Sequence, residues 1–403
     1  MVDTPSLLVA AELSAAGLAA LPFIIHRYRI SRWMQKEPLQ PSGNGKKLGL
    51  TLVLPIWNEE KVIIEKLENL ASQDFPRKNL ELLIIDSAST DSTVSLVEDW
   101  LKKNAKEFPD HRLIRMEQRL GKTEAVKRAF DAADDDKPLI AMTDADAMLV
   151  DEGALTRLVS WFNDPTIGAV GGTPERKEEV AKTHIKLEST YRDLFTKQRI
   201  AESRADSTPF LEGSLVGFRK EYIDTALLDC GSNADDSQLA TMARLNGGRS
   251  IQDSELVFTE GTPASSAGRR QRKVRRAQGL CRHLWRNRGA WFSKQHGEFN
   301  KIIRFQAFMH LFVPWLLLIA MMLGFSRWFM TIGDSSLLEG WLLPLFMLEI
   351  IILTALVGVF ANLKIPGIGF LQTFMDAMWS LMTAHLLILK GDSLHIWEQP
   401  ERG

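Results

Sequence analysis

Apolar positions along this chain fall into three regimes. Leu7 to Ile25 is a continuous apolar run, long enough to cross a membrane as a helix, with Glu12 as its only charge. From about residue 48 to residue 260 the apolar runs are short, and polar stretches with helical spacing separate them. Leu50-Thr51-Leu52-Val53-Leu54, Leu80 to Ile85 and Leu139 to Met142 read as buried strands. Asn58 is placed to cap a helix from about Glu59, and Asp91 to cap a second. Ala234-Asp235-Asp236-Ser237 opens a further helix that closes near Asn246-Gly247-Gly248. Strand and helix alternating in this rhythm predict an α/β domain with a mainly parallel sheet, whose ligands bind at the carboxyl ends of the strands.

The third regime begins near residue 304. Phe305 to Leu323, Trp341 to Leu363 and Phe370 to Leu389 are each long enough to span. Glu349, Asp376 and His385 lie inside them. Ionisable groups at that depth face a protein interior or a polar path, or pack between helices. The expected organisation is an anchor over 1–32, the α/β domain over 48–260, a basic amphipathic interfacial segment over 261–303, spans over 304–390 and a tail over 391–403.

Charge adds sidedness. The 403 residues carry a formal net charge of -1, so the whole molecule is no polyanion binder and a nucleic-acid partner is not expected. Gly261 to Gly297 nevertheless contains no acid, while Arg269, Arg270, Arg272, Lys273, Arg275, Arg276, Arg282, Arg286, Arg288 and Lys294 crowd together. Trp285 and Trp291 interleave with them, which predicts a surface for phosphates or anionic lipid. Arg27, Arg29 and Arg32 follow the first span, and the start Met1-Val2-Asp3-Thr4-Pro5 lacks the basic residues of a signal peptide. By the positive-inside rule the N-terminus points out and the α/β domain is cytosolic. Four spans would put both termini outside. The tail His395-Ile396-Trp397-Glu398 looks interfacial, and re-entrance of one stretch would bring it to the cytosol. Two cysteines, Cys230 and Cys281, imply no disulfide framework.

Candidate chemistry gathers at the strand ends. The first strand runs into Pro55-Ile56-Trp57-Asn58-Glu59-Glu60, and the second into Asp86-Ser87-Ala88-Ser89-Thr90-Asp91. A carboxylate there can accept from a base N–H or a ribose hydroxyl, although turn and cap chemistry accounts for each motif equally well. The third strand ends Thr143-Asp144-Ala145-Asp146. Two carboxylates at i and i+2 on a sheet rim can hold one hard cation, Mg2+ or Mn2+, shared with substrate phosphates. Asp235 and Asp236 open their helix, where the terminus favours an ionised carboxylate suited to a general base or simply to a cap.

In this order and register the motifs resemble the family 2 glycosyltransferases with a GT-A fold, over about residues 48 to 290. The flanking spans match the membrane-bound polysaccharide-synthase and lipid-glycosyltransferase members. The resemblance implies donor binding by Pro55, Asn58, Glu59, Asp86, Lys122 (within Gly121-Lys122-Thr123), Asp144, Arg275 and Arg276. It implies a metal held by Asp144 and Asp146, an acceptor side at Glu212-Gly213-Ser214 with Phe218-Arg219, and Asp236 as the base, with Leu239 and Gly247 keeping that motif's spacing. It further implies a nucleotide-diphospho-sugar donor, a lipid or lipid-linked acceptor, and inversion at the anomeric carbon. Departures are specific. Ser87 replaces the second acid of the base-binding motif, and Asp235 the usual Glu before the base. Processive synthases carry Gln-x-x-Arg-Trp near the membrane; here Gln271 is followed by Val274 and Arg275 at the last two places. A nucleotidyltransferase of similar design would show a Gly-rich loop after the first strand, where this chain has Pro55-Ile56-Trp57-Asn58. A membrane-anchored nucleotide-binding scaffold would tolerate loss of the metal pair or of Asp236, and all three acids are present.

Overall fold

The computed structural model describes residues 4–175, 183–260, 266–331, 342–361, 363 and 365–396. The α/β domain is built on an eight-stranded sheet. Its parallel half comprises β1 (Leu50–Ile56), β2 (Leu80–Asp86), β3 (His111–Arg115) and β4 (Leu139–Thr143). The other half comprises β5 (Ala147–Leu149), β6 (Ile167–Pro174), β7 (Leu215–Arg219) and β8 (Arg249–Glu260). The spatial order is β3-β2-β1-β4-β7-β6-β8-β5, with β7 antiparallel to both β4 and β6. The three strands read from the sequence are therefore the centre of the parallel half, paired in register at Leu52↔Leu82 and Leu52↔Ala141.

Both faces of β1 and β2 are buried, which explains their unbroken apolar sequence. Leu52, Leu54, Leu82 and Ile84 pack on one face with Leu67 of α2 (Ile63–Ala71) and Val97 of α3 (Thr93–Asn104). Val53, Leu83 and Ile85 pack on the other with Val126 of α4 (Lys122–Ala132). Next in the chain come α5 (Ala154–Ser160), α6 (Thr183–Ala205) and α7 (Asp235–Leu245).

One helix start differs from expectation. α2 begins at Ile63, and Asn58 caps nothing. Asn58 instead adopts φ 52° and crosses to the loop after β2, where its Oδ1 accepts from Thr90 N at 2.8 Å. Glu59 N donates to Thr93 Oγ1 at 2.7 Å, so the two strand-end loops are zipped together. Tertiary hydrogen bonds satisfied what a local cap would have done.

The remaining helices are α1 (Thr4–Met34) before the domain, then α8 (Ser266–Arg286), α9 (Glu298–Leu311), α10 (Val313–Thr331), α11 (Leu342–Phe360) and α12 (Gly369–Lys390). Among the described residues three helices are long and apolar enough to cross a membrane: Ser6–Met34, Val313–Met330 and Leu342–Phe360. The first and third match the expected runs. The expected run Phe305 to Leu323 is divided, because α9 stops at Leu311 and Pro314, which lacks an N–H, sits in the first turn of α10. The expected last span is α12, which is of spanning length but is not among the three. It lies along α8, with Asp376 Oδ2 2.8 Å from Lys273 Nζ. Past its end, Asp392 O accepts from Gln278 Nε2 at 2.9 Å, and Ser393 Oγ donates to Gly231 O at 2.8 Å. The chain after α12 thus rests on the α/β domain and shares its side; Trp397 and Glu398 lie outside the described residues.

The ionisable groups expected inside the later apolar stretches, Glu349, Asp376 and His385, are all engaged between helices. Arg327, 1% exposed, joins Glu12 (3.2 Å) and Glu349, and Trp328 Nε1 also donates to Glu349. Asp376 has Lys273, and His385 Nδ1 accepts from Trp315 Nε1 at 2.9 Å.

Candidate active site

The carboxyl ends of β1, β2 and β4 open into a cavity of about 450 Å3. Of the residues expected from the sequence, it is lined by Pro55, Glu59, Lys122, Asp144, Asp146, Glu212, Gly213, Ser214, Asp236, Arg275 and Arg276. Two expected residues stand behind the wall. Asp86 is buried, and its carboxylate accepts from Ser89 N at 3.2 Å; Ser87 is the residue of that loop that reaches the cavity. Asn58 holds the loop through Thr90, as described above.

The backbone at the rim is strained where it approaches the cavity. Among the described residues the non-glycine positions with positive φ are Asn58, Ala88 and Ala234, one in each of three loops around the site. Such residues cost about 1–3 kcal/mol each and persist where the surrounding structure holds them. Gly121 (φ 93°) makes the turn into Lys122. A Cβ on Gly213 would stand 3.0 Å from Asp236 Oδ2, tighter than ordinary contact, so glycine lets the turn before β7 pass close to the acid.

Charge in the cavity is interlocked. Lys122 Nζ lies 2.6 Å from Asp144 Oδ1 and 3.8 Å from Asp235 Oδ2. Burial opposes the charge on Lys122, but Asp144 and Asp235 override it and hold the ammonium charged. Burial likewise opposes ionisation of Asp144, and Lys122 more than offsets it, so Asp144 stays below its ordinary range. Asp236 behaves oppositely. Burial, then the neighbouring Asp235, push it up to about 6. One acid is thereby kept ionised and another poised near neutrality, the pattern of a site with divided roles.

Several contributors were not legible in the sequence. Lys66, on α2, is fully buried beneath the Asp144-Ala145-Asp146 turn. Its Nζ donates to Thr143 Oγ1 at 2.8 Å and to Ala147 O, gripping both ends of that turn. Burial pulls it down to about 7 against the fields of Asp144 and Asp146. Arg119 stacks over Trp57, its guanidinium 3.2 Å from the ring centroid, and both line the cavity. Arg199 of α6 pairs with Glu212. On α8, Arg272 joins the expected Arg275 and Arg276 in facing this cavity. Its i, i+3, i+4 spacing to them was the available signal, but the surrounding arginines masked it. Burial lowers Arg275 to about 10, still charged at neutral pH, while Arg276 is raised, burial being overcome by Glu260 and Glu212.

The donor set suits a hard cation with an anionic partner. Asp144 and Asp146 supply carboxylate oxygens at one edge, and Lys122, Arg272, Arg275 and Arg276 supply positive charge around it. Ser87 Oγ and Asn233 Oδ1, both buried in the wall, have no hydrogen-bond partner among the described residues, as befits groups that await a polar ligand.

Residues 51–227 match the family described as Glycosyl transferase family 2. This stretch is a family 2 glycosyltransferase domain. Its sheet is of the GT-A type, and the nearly full-length likeness to a solved enzyme agrees. The mannosyltransferase PcManGT from Pyrobaculum calidifontis, solved in complex with GDP-Man and Mn2+, has a TM-score of 0.75 and 27% identity, covering 95% of this chain and 99% of that one. A poly-beta-1,6-N-acetyl-D-glucosamine synthase of Staphylococcus aureus (strain COL) is 23% identical over 232 residues, 57% of this chain and 54% of that protein. The chain thus spans about half the length of the curated relatives of this kind that it matches. A dolichyl N-acetyl-alpha-D-glucosaminyl phosphate 3-beta-D-2,3-diacetamido-2,3-dideoxy-beta-D-glucuronosyltransferase of Methanococcus voltae is 42% identical over 55 residues, 14% of this chain and 17% of that protein.

Proposed function

We propose that this family 2 protein is an inverting glycosyltransferase that moves a sugar from a nucleotide-diphospho-sugar to a hydroxyl of a lipid or lipid-linked glycan at the cytoplasmic face of a membrane. The observation that carries the proposal is Asp236: an acid with its carboxyl pushed up to about 6, in the same cavity as Asp144 and Asp146. A hydroxyl acceptor is scarcely ionised at neutral pH, and a base of this kind removes its proton as it attacks. Gly213 lets the acceptor-side turn pass close to Asp236, so the base and the acceptor wall meet. A single displacement inverts the anomeric carbon.

The other residues bind and neutralise. Mg2+ or Mn2+ held by Asp144 and Asp146 would supply Lewis-acid stabilisation of the leaving diphosphate, and the Mn2+ of the Pyrobaculum relative supports that choice. Lys122 is a charged partner for phosphate once it exchanges Asp144 for the donor. Arg275 and Arg276 bring two more cations to the same wall. Pro55, Asn58, Glu59 and Asp86 form and brace the loops on the nucleotide side. Arg27, Arg29 and Arg32, at the end of α1 nearest the domain, support a cytoplasmic domain with the N-terminus outside.

Polymer synthesis is the second reading, favoured by the named activity of the staphylococcal relatives. Against it, Arg275 occupies the place where the processive enzymes carry Trp, and offers charge in the cavity instead of a flat apolar face for a growing glycan. The test is donor turnover by membranes holding the protein, screened across UDP- and GDP-sugars with Mg2+ or Mn2+, then repeated with excess chelator. Turnover that survives chelation sinks the metal assignment. A long polymer in the product sinks transfer of one or a few sugars.

A further inference from the structure

One end of the cavity is not accounted for by donor, metal or base. It lies toward α9, which leads directly into the candidate span α10, and it is lined by Gln198, Phe210, Gln306 and His310. Behind it sits Glu202 of α6, with no exposed surface. Glu202 Oε1 accepts from Gln306 Nε2 at 2.7 Å and from Gln198 Nε2 at 3.0 Å, and its Oε2 accepts from Thr208 Oγ1 at 2.8 Å. Both contacts are made by a glutamine Nε2, so each NH2 group is turned toward Glu202. What they leave for a ligand is the carbonyl oxygen, and neither Oε1 has a hydrogen-bond partner among the described residues.

His310 ends in the same state. Its Nδ1 meets Gln306 O at 2.8 Å, and a carbonyl oxygen requires the hydrogen to be on that nitrogen. Burial, the largest cause, holds His310 below its ordinary value and so neutral, leaving Nε2 as a lone pair. Nε2 has no partner among the described residues, and the ring stands edge-on to Phe210 with centroids 5.5 Å apart. The wall therefore presents three hydrogen-bond acceptors and an aromatic ring, with a buried carboxylate behind them. A phosphate, which also only accepts, finds no donor in these three groups. A sugar ring offers hydroxyl donors and an apolar C–H face.

Position fits as well. Ser214 lies 3.4 Å from Asp144, Gly213 abuts Asp236, and Phe210 is four residues before Ser214. Even fully extended, that segment spans at most about 13–14 Å. We infer that this end of the cavity is a subsite for a sugar residue of the acceptor, whose hydroxyls donate to Gln198 Oε1, Gln306 Oε1 and His310 Nε2. The acceptor class is then a lipid that already carries a sugar, rather than a bare lipid phosphate. Glu202 is a positioning residue that orients both amides. The inference rests on the glycosyltransferase reading above and narrows it.

The experiment compares dolichyl phosphates bearing N-acetylglucosamine, glucose or mannose with bare dolichyl phosphate, using the full chain in detergent and whichever donor it turns over. At least one glycosylated lipid should be preferred by about tenfold or more in kcat/KM. Gln198→Leu should raise the KM for that lipid about tenfold, equivalent to about 1.4 kcal/mol, while the donor KM stays within about twofold. His310→Phe, which keeps a ring against Phe210 and removes Nε2, should do the same and guards against a folding defect in the first variant. Equal or better use of bare dolichyl phosphate overturns the inference, and with it the hydroxyl-acceptor part of the reading, because that lipid offers a phosphate and no hydroxyl; the turnover itself leaves the glycosyltransferase activity standing. So does an unchanged acceptor KM in both variants. Failure of the wild-type chain to turn over any donor overturns that reading, and the inference with it.

Discussion

Asp236 lends itself to a quantitative test through its neighbour Asp235. The Asp236 carboxyl moves from an ordinary 3.8 to about 6, a difference of about 3 kcal/mol between its two protonation states. A general base works deprotonated, so kcat/KM for transfer should rise with pH through about 6 and then level off. Burial is the larger cause and the charge of Asp235 the second. Asp235→Asn removes only the second, and the rise should therefore move to lower pH by about 0.5–1 unit, roughly 0.7–1.4 kcal/mol. Asp236→Asn should remove the rise and lower kcat/KM by about 10²–10⁴, the usual contribution of a positioned base. The assay is transfer measured from about pH 4.5 to about 8.5 at subsaturating acceptor, where the profile reports the free enzyme. A profile without a rise between about pH 5 and 7, or an Asp235→Asn variant whose rise moves to higher pH, would refute the argument. The first result would also point to an acceptor that arrives already charged.

Lys66→Met should weaken donor binding about tenfold, or about 1.4 kcal/mol, because the ammonium that grips Thr143 and Ala147 around the metal-side turn is lost; Mn2+ titration in the presence of nucleotide checks this, and an unchanged affinity refutes it. Arg327→Met should destabilise the membrane part by about 3–5 kcal/mol by leaving Glu12 and Glu349 uncompensated. Thermal unfolding in detergent reads that loss, and Glu12→Gln with Glu349→Gln in the same chain should recover most of it; an unchanged Tm for the single variant counts against the triad as a tie between spans.

Much of the catalytic half was legible because its signals are local. A strand buried on both faces must be apolar along its whole length, and so Leu50 to Leu54, Leu80 to Ile85 and Leu139 to Met142 announced β1, β2 and β4. An acid that follows such a run has to emerge at a strand end, which brought Asp144 and Asp146 to the cavity, and Asp236 meets them there from the first turn of α7. The helix start at Asn58 was misplaced for the complementary reason. Its side chain had two uses, a local cap and a bridge to Thr90, and only the pairing of β1 with β2 decided between them.

What the sequence by itself determined, then, is the class of the fold, the rim on which the chemistry sits, and the apolar helices α1, α10 and α11. What only the tertiary structure decided is the partner of each buried polar group. Lys66 looked like one more helical lysine, and became the grip on the metal-side turn once α2 packed against β4 and β5. Arg272 was one more charge in a basic stretch from which only Arg275 and Arg276 stood out, until α8 was laid between α12 and the cavity. Gln198, Gln306 and His310 carry no motif, and their lone pairs face the cavity only because Glu202 and a backbone carbonyl take their hydrogens. Burial of apolar side chains is non-directional and shows in periodicity, whereas a buried hydrogen bond is directional and joins residues up to 104 positions apart in this set, as between Gln306 and Glu202.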